Sequence, residues 1–452
     1  MKPFSERKIK AGGKLLPYEE FKLFRDMESP TPDPTKAAKV IENAEGALTE
    51  TVPFLPASFY REFTTTGNRS HYENPFFKRR DMALWLALGE YIEGEGRFTE
   101  KLMDVVWAIM EESTWVVPAH TFCYPSGASA LCPVFGNEEL HGVDLFAATT
   151  AACLATVYHV AGAALDKISP VITKKLLYML HERIIKPYLT CTFWWTGETG
   201  KRVNNWAPWI SANILYVAAL TERDMSIRTR VVNRAMTTLD NFMNGYAPDG
   251  GCDEGPAYWG SAGGCLFDCL ELIEDMSGGE ITLWDEPLVR NIGEYIYKVN
   301  IDKKRFVNFA DCAPTAAPPP SMLLRYGRRC GSPHLEAFAV KLAAEGDFNV
   351  TYWQMYRGFK SLHSPKIEAR DCEMPLATYL PNLKVMTARE STDTAIGTFL
   401  GVKGGHNQEE HNHNDVGSFV VYRNGKPVLI DTGVGTYTKQ TFSSDRYNLW
   451  FM

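Results

Sequence analysis

Three polar segments of this 452-residue chain carry side chains that could do chemistry. The first, residues 201–209, places Arg202 and the amides of Asn204 and Asn205 just before Trp206, at the start of an apolar run. Amides and cations donate hydrogen bonds to carboxylates, and tryptophan faces suit sugar rings. Asparagine is also among the best helix N-caps, so capping alone could explain Asn204. For Asn205 the pattern favours a role in a site.

The second segment, residues 249–259, is a turn-rich loop that leads into a helix. It holds adjacent carboxylates at Asp253 and Glu254, followed by Pro256 and Tyr258. A proline near the first helical position and a packing tyrosine would be ordinary structure. Loops on a rigid helical scaffold also present catalytic groups, and glycoside hydrolysis needs two carboxyl groups across the scissile bond. A hydrolase therefore stays open at this point.

The third segment, residues 406–415, is rich in histidine, acid and amide side chains and runs into a predicted strand. Residues two apart share one face of an extended chain, so His411, His413 and Asp415 would point to the same side. Such a set suits a metal ion or a proton relay. A hydrated strand end is the ordinary alternative.

Helices must position the first two segments. From about residue 80 to residue 344, apolar residues recur at helical spacing, and links rich in Gly, Pro, Asp and Asn separate the runs. Many helical hairpins in series indicate a bundle, a solenoid or a closed α/α toroid. Arg79 and Arg80 are interpreted as a solvated helix start. The runs suggest helices around 82–93, 144–165, 169–186, 206–222, 225–244, 287–299 and 333–344.

After about Pro365 the pattern changes to short β-branched and aromatic runs. They predict strands over 384–391, 395–403, 417–422 and 427–431. Asn424-Gly425, between the last two, is a strong hairpin signal. Four strands with only residues 432–452 after them would make an incomplete sandwich. We therefore expect the chain to stop partway through its second domain.

Composition bounds the class of protein. Hydrophobic residues make up 45% of the chain and charged residues 22%, which is ordinary for a globular protein and argues against disordered and fibrous classes. The formal charge of -7 disfavours a nucleic-acid partner bound through a basic surface. No secretory signal and no membrane-spanning run is recognised, so we expect a soluble, cytoplasmic protein, or an exported one if its N-terminus was processed. Ten cysteines without a CxxC pair indicate reduced, mostly buried thiols.

Several motifs resemble those of the heparinase II/III-like polysaccharide lyases in order and spacing. They are HNHNDVGSF at 411–419, NGKP at 424–427, IDTGVGTY at 430–437, NNW at 204–206, EGPAYW at 254–259 and VDLF at 143–146. The resemblance covers roughly residues 80 to 440. It implies an α+β multidomain fold in which an N-terminal α/α toroid (1–365) is joined to a C-terminal antiparallel β-sandwich (366–452). The active site would lie in the cleft between them.

The same resemblance implies β-elimination at a uronic acid of an anionic oligo- or polysaccharide, which leaves an unsaturated uronate. The proton α to the carboxylate is removable only when that carboxylate is neutralised, so donors must stabilise the developing enolate. By motif match Asn205 takes this role, helped by Arg202, and Tyr258 and His411 transfer protons. A tyrosine base, with an ordinary pKa of about 10, is expected to need nearby positive charge or desolvation. Further substrate contacts are expected from Asn204, Trp206, Glu254 and His120.

Some members of this family hold zinc in the β-domain, and His413 and Asp431 match two of the ligand positions. The third would lie beyond Met452. Two ligands do not make a tetrahedral site, so zinc would bind weakly here unless His406 or water completes the set, and its role would be structural.

Two other functions stay open from the residues. An α/α-toroid glycoside hydrolase would use Asp253 and Glu254. An inactive glycan-binding homologue would explain Trp206, which stands where several branches of the family carry histidine and which resembles the heparan-type branch. The joint presence of Asn205, Tyr258 and His411 favours the lyase, because binding alone does not require this set. Burial is the stronger interpretation of three further tryptophans that could stack on sugars, Trp115, Trp194 and Trp195.

Overall fold

The computed structural model describes the chain except residues 24–30, 126, 128–130, 132–140, 347, 349, 408–412, 415, 436, 438–439 and 450–451. Its longer helices are α1 Pro34–Thr49, α2 Ala57–Thr66, α3 Ser70–Glu93, α4 Thr99–Met110, α5 Leu145–Ile168, α6 Pro170–Leu180, α7 Trp206–Thr221, α8 Met225–Gly245, α9 Gly263–Met276, α10 Pro287–Lys298, α11 Pro320–Cys330, α12 Pro333–Leu342 and α13 Met355–His363. The links contain short helical turns at Pro118–Cys123, Trp194–Thr196 and Pro256–Trp259, among others.

The helices pack as hairpins in two layers. α3, α5, α7 and α9 contact one another in succession and form the inner layer, and α13 closes on α5 and α7. Outside them, α1 and α4 pack on α3, α6 on α5, α8 on α7 and α10 on α9. α7 is apolar all round and buried along nearly its whole length, as a helix surrounded by others must be. This is the α/α toroid that the sequence predicts.

Among the helices in the described part of the chain, α5 is the one that is long and apolar enough to cross a membrane, judged by length and composition. Its apolar window is 83% buried inside the protein. The core helix of a folded domain has the same properties.

The prediction that Arg79 and Arg80 form a solvated helix start is wrong. α3 begins at Ser70, and both arginines are buried in its middle. Arg80 donates two hydrogen bonds to the Glu112 carboxylate, at 2.7 and 2.5 Å, and Arg79 donates a third at 3.0 Å. Phe76, one turn earlier on the same helix, is also buried. The charges of the two arginines were therefore a misleading sign of exposure to solvent.

The C-terminal part is a five-stranded antiparallel sheet in the order β3-β4-β5-β6-β7, and a small hairpin of β1 and β2 lies earlier, within the helical part. The strands are β1 Asn300–Asp302, β2 Arg305–Phe306, β3 Ala377–Leu380, β4 Val385–Arg389, β5 Thr398–Lys403, β6 Phe419–Arg423 and β7 Lys426–Leu429. Asn424 and Gly425 both have positive φ, 48° and 68°, so the predicted hairpin turn is confirmed. The sequence did not predict β3 or the β1–β2 hairpin. The fold class, a helical toroid followed by an antiparallel sheet, is confirmed.

One face of the sheet packs on the end of α10 and on the β1–β2 hairpin. The hydroxyls of Thr378 and Thr387 both donate to the carbonyl of Lys298, at 3.1 and 2.9 Å. Arg389 donates to the carbonyl of Asn300 at 2.6 Å. These contacts hold the sheet against the loops that carry the polar segments.

Candidate active site

The two asparagines before α7 have different surroundings. Asn204 Oδ1 accepts a hydrogen bond from the backbone N–H of Trp206 at 3.1 Å, so local turn structure accounts for its side chain. Asn205 stands at the N-cap position but makes no side-chain cap. It is 3% exposed, and its Oδ1 has no hydrogen-bond partner among the described residues. The amide of Asn205 is therefore held inside the protein without using its acceptor.

The second loop meets the first at Glu254. The Glu254 carboxylate is buried and accepts from the backbone N–H of Asn205 at 3.4 Å. Gly255 follows with φ of 90°, and a Cβ there would lie 2.7 Å from the carbonyl oxygen of Phe309. Pro256 then occupies the first turn of the short helix Pro256–Trp259, as predicted. This tight turn fixes where Tyr258 stands relative to Asn205.

Arg202 and Asp253 form an ion pair between the same two loops. The pair is partly exposed and lines a narrow pocket together with Asn204 and Glu254. The positive charge predicted to help neutralise a substrate carboxylate is thus already compensated by Asp253. The two acids of the hydrolase alternative have separate partners, Arg202 for Asp253 and the Asn205 backbone for Glu254.

A hydrogen-bonded chain joins Tyr258 to the C-terminal part of the protein. The Tyr258 and Tyr437 hydroxyl oxygens are 2.6 Å apart, and Tyr437 donates to Asp311 Oδ2 at 2.9 Å. The side chain of Asp311 is fully buried. Its other oxygen, Oδ1, accepts from Arg446 at 2.7 Å and lies 2.9 Å from Nε2 of His413. Asp311 is the point where helical and C-terminal residues of the site converge.

This environment changes the acidity of Tyr258. Burial raises the pKa of Tyr258 well above its ordinary value, and the negative charges of Glu254 and Asp311 act in the same direction. The hydrogen bond with Tyr437 and the charge of Arg446 oppose the rise. The expectation that desolvation would help a tyrosine base is therefore wrong in sign, because burial penalises the phenolate. Only the positive charge and the hydrogen bond favour it.

The third polar segment is described in part. His411 and Asp415 lie outside the described residues, so their predicted common face with His413 stays a prediction. His413 is buried and uses Nε2 on Asp311. The Asp431 carboxylate accepts from the Ser418 hydroxyl and the Gly433 N–H, each at 2.8 Å.

The described part of the chain contains no group of three His, Cys, Asp or Glu side chains arranged to hold a metal. His413 and Asp431, the two predicted zinc ligands, each bond to protein partners instead. These residues do not fit a zinc ion as they stand, and we assign no chemical step to one. Zinc binding remains a prediction from the family resemblance.

His120 stands beside Trp206, another residue of the predicted site. The two ring centroids are 4.7 Å apart, and the His120 ring stacks on Phe146. Its Nδ1 lies 2.7 Å from the carboxylate of Asp144, a fully buried residue that also N-caps α5. The contact between Nδ1 of His120 and the Asp144 carboxylate orients the ring, and it leaves Nε2 of His120 as the nitrogen that could bind a ligand.

Trp206 is one member of an aromatic group next to Asn205. It contacts Trp194 at 5.1 Å and Phe122 at 6.0 Å between centroids, and Phe122 is half exposed. The structural interpretation is confirmed for Trp115 and Trp195, which are 1% and 0% exposed. The group could therefore present an aromatic face to a sugar ring through Trp206 and Phe122.

Sequence reasoning assigned no role to four residues of this site, namely Asp144, Asp311, Tyr437 and Arg446. An aspartate before an apolar helical run was a usable N-cap signal for Asp144. Tyr437 lay inside a recognised motif. Asp311 and Arg446, 135 residues apart in the chain, carried no local pattern that could pair them.

Comparisons with known proteins agree with this architecture. Residues 378–450 match the family described as Heparinase II/III-like, C-terminal. This range contains His413, Asp431, Tyr437 and Arg446. No curated protein matches the chain.

Solved structures share the fold over almost the whole chain. A crystal structure of heparinase III superimposes with a TM-score of 0.62 at 12% identity, covering 97% of this chain and 63% of that one. The heparan sulfate lyase HepC from Pedobacter heparinus gives a TM-score of 0.50 at 13% identity, covering 92% and 59%. The chain thus spans less than two thirds of the length of these proteins. At such identities the likeness establishes the fold, and the resemblance to heparinase II/III-like proteins is confirmed at that level.

Proposed function

We propose that this protein is a polysaccharide lyase that cleaves a uronic-acid-containing glycan by β-elimination. The observation that carries the proposal is the buried Asn205 amide, whose acceptor has no partner among the described residues. An unsatisfied buried polar group costs roughly 1–3 kcal/mol, so it is retained where a ligand completes it. Support also comes from the fold shared with heparinase III and a heparan sulfate lyase.

Asn205 is the group that we assign to the substrate carboxylate. A half-turn about χ2 exchanges Oδ1 and Nδ2, so the amide can direct N–H donors at a carboxylate from the same place. Such a donor is worth more in the transition state, because negative charge moves onto the carboxylate as the α-proton leaves. Arg202 is less suited, since Asp253 already compensates its charge.

Tyr258 is assigned to proton transfer, and His411 is its predicted partner. The substrate ring is assigned to the aromatic face of Trp206 and Phe122, with His120 oriented towards it by Asp144. Together these groups bind one anionic sugar, neutralise its carboxylate and remove its α-proton. The C4–O bond then breaks as the double bond forms, and the Tyr258 and His411 pair returns a proton to the departing oxygen. No metal is needed for this sequence of events.

The test is turnover of a panel of uronic-acid polysaccharides, including heparan sulfate, hyaluronan, chondroitin and alginate, followed by ultraviolet absorbance. A lyase releases conjugated unsaturated uronates, which absorb. A hydrolase releases saturated reducing ends, and a glycan-binding protein releases nothing.

Asp253→Asn is the matched variant for the alternative. It should leave a lyase substantially active but abolish a hydrolase that uses this carboxylate. Saturated products, or complete loss in Asp253→Asn, would contradict the lyase assignment.

A further inference from the structure

We propose that Tyr437 is a positioning residue for Tyr258. Tyr437 accepts the hydrogen bond of the neutral Tyr258 hydroxyl, which keeps that proton away from the substrate, and it donates to the Tyr258 oxygen once the proton has gone to solvent and the phenolate can take the α-proton. The proposal rests on the proposed function, since it assigns Tyr258 to the proton-abstracting side of the elimination. It adds a second residue of the C-terminal part, in addition to His411, to a reaction whose other groups lie on the toroid loops.

The direction of the hydrogen bonds follows from counting protons. A phenol has one O–H proton, and Tyr437 donates its proton to Asp311 Oδ2 at 2.9 Å. The Tyr258 and Tyr437 oxygens, 2.6 Å apart, still need a proton between them, and only Tyr258 can supply it. The Tyr258 proton therefore points at Tyr437. Any substrate group that bonds to the Tyr258 oxygen must then be the donor.

Asp311 fixes this direction because its own position is fixed. Its side chain is fully buried, and its second oxygen accepts from Arg446 at 2.7 Å and contacts His413 at 2.9 Å. Arg446 and His413 both contact one oxygen of this carboxylate. The other oxygen is therefore left to accept the hydrogen bond from Tyr437. The orientation of Tyr437, and through it that of Tyr258, is thus set by Asp311 and its two partners.

The groups around Tyr258 determine in which direction its pKa should change when Tyr437 is replaced. Burial, Glu254 and Asp311 raise the pKa of Tyr258, whereas the Tyr437 hydrogen bond and Arg446 lower it. Once Tyr258 is ionised, the Tyr437 hydroxyl can turn from Asp311 to donate to the phenolate. Removing the Tyr437 hydroxyl should therefore raise the pKa of Tyr258 further, so that a smaller fraction of Tyr258 is ionised at a given pH.

The first experiment compares Tyr437→Phe with Tyr18→Phe in the full chain. Tyr18 also loses one hydroxyl bond, to the carbonyl of Leu220 at 2.9 Å, but at the end of α7 roughly 22 Å along the helix from Asn205. Tyr437→Phe should lower kcat by about 10-fold or more while KM changes by less than about 2-fold, because an orienting bond is lost and no substrate contact. Tyr18→Phe should leave both constants unchanged. An unchanged kcat in Tyr437→Phe, or a rise in KM alone, would overturn the proposal.

The second experiment reads Tyr258 directly and does not depend on turnover. The phenol is titrated by NMR with ¹³Cζ-tyrosine, and Tyr258→Phe identifies its signal. Tyr437→Phe should raise the pKa of Tyr258. Asp311→Asn should lower it, because the amide nitrogen facing Tyr437 becomes a donor and turns the Tyr437 proton towards Tyr258.

These opposite shifts separate a positioning role from general damage to the fold. Shifts of the same sign, or an unmoved Tyr258 signal in both variants, would overturn the proposal even if kcat falls. Should Tyr437→Phe fail to fold, Tyr437→Met takes its place, since it also lacks the hydroxyl and should also raise the pKa of Tyr258. The shift in Asp311→Asn does not decide alone, because the charge of Asp311 itself raises the pKa of Tyr258. If the wild-type protein cleaves no uronide, the proposed function fails, while the titration still decides the role of Tyr437.

Discussion

At the scale of single residues, the contribution of Asn205 to turnover can be measured separately from its contribution to stability. Asn205→Ala should lower kcat by about 100-fold, the size of effect seen when one donor to a developing oxyanion is removed. It should not lower the free energy of unfolding, because an unused buried acceptor is removed with the amide. Steady-state kinetics and chemical denaturation measure the two effects.

Asn213→Ala is the matched control for this prediction. Asn213 is a buried asparagine on the same helix, and its Nδ2 donates to the carbonyl of Trp209 at 3.1 Å. This variant should lose about 1 kcal/mol of stability and keep its turnover. A stability loss in Asn205→Ala with normal kcat would show that the amide is structural.

If Tyr258 is the base, turnover should have an unusual dependence on pH. A base is active when ionised, and burial raises the pKa of Tyr258. The kcat of the wild type should therefore keep rising with pH up to about 10, the ordinary pKa of tyrosine, without reaching a plateau. Tyr258→Phe should lose this rise and about 100-fold in kcat, with KM nearly unchanged. A plateau near neutral pH in the wild type would contradict a tyrosine base.

At the scale of elements, the turn at Gly255 joins sequence to site geometry. Its φ of 90° suits glycine, and an added Cβ would lie 2.7 Å from the carbonyl oxygen of Phe309. Gly255→Ala should lower both the melting temperature and kcat, because the turn that places Tyr258 must shift.

Gly46→Ala, inside α1, is the matched control. No atom lies within 4 Å of an added Cβ at Gly46, so alanine should stabilise the protein by about 0.5–1 kcal/mol without changing kcat. Equal effects of the two substitutions would contradict a special turn at Gly255.

The elements were predictable where their pattern is local. Apolar spacing predicted helices such as Trp206–Thr221, and Asn424-Gly425 predicted its turn, because each depends on neighbours in the chain. β3 was missed because two of its four residues are exposed, and the strand exists through pairing with β4. Asn205 and Glu254 were recognised separately. Their meeting, and the chain through Tyr437 to Asp311, depends on tertiary packing that no local pattern encodes.

At the scale of the whole molecule, Asp249 ties the second loop to the sheet. Its carboxylate accepts from the backbone N–H groups of Asn382 and Leu383, at 2.7 and 3.2 Å, and from Gly251 at 3.0 Å. Asp249→Ala should cost about 1–3 kcal/mol of stability and also lower kcat, because the loop that carries Tyr258 loses its anchor.

Asp393→Ala tests whether this effect is specific. The Asp393 side chain is exposed in the loop between β4 and β5, and among the described residues it accepts a single local hydrogen bond, from the backbone N–H of Ala395 at 2.9 Å. Its loss should change stability by less than about 0.5 kcal/mol and leave kcat unaltered. If Asp249→Ala behaves like Asp393→Ala, the sheet does not support the loop.

The convergence on Asp311 also dictates when the protein can become active. Tyr258 and Tyr437 are 179 residues apart in the chain, and Asp311 and Arg446 are 135 apart. Contacts across such separations close late, because loop-closure entropy must be overcome first. A nascent chain still lacking residue 446 has a helical scaffold but no completed proton-transfer site. During refolding, helical circular dichroism should therefore return before enzymatic activity, and the interval between them measures the docking of the C-terminal segment.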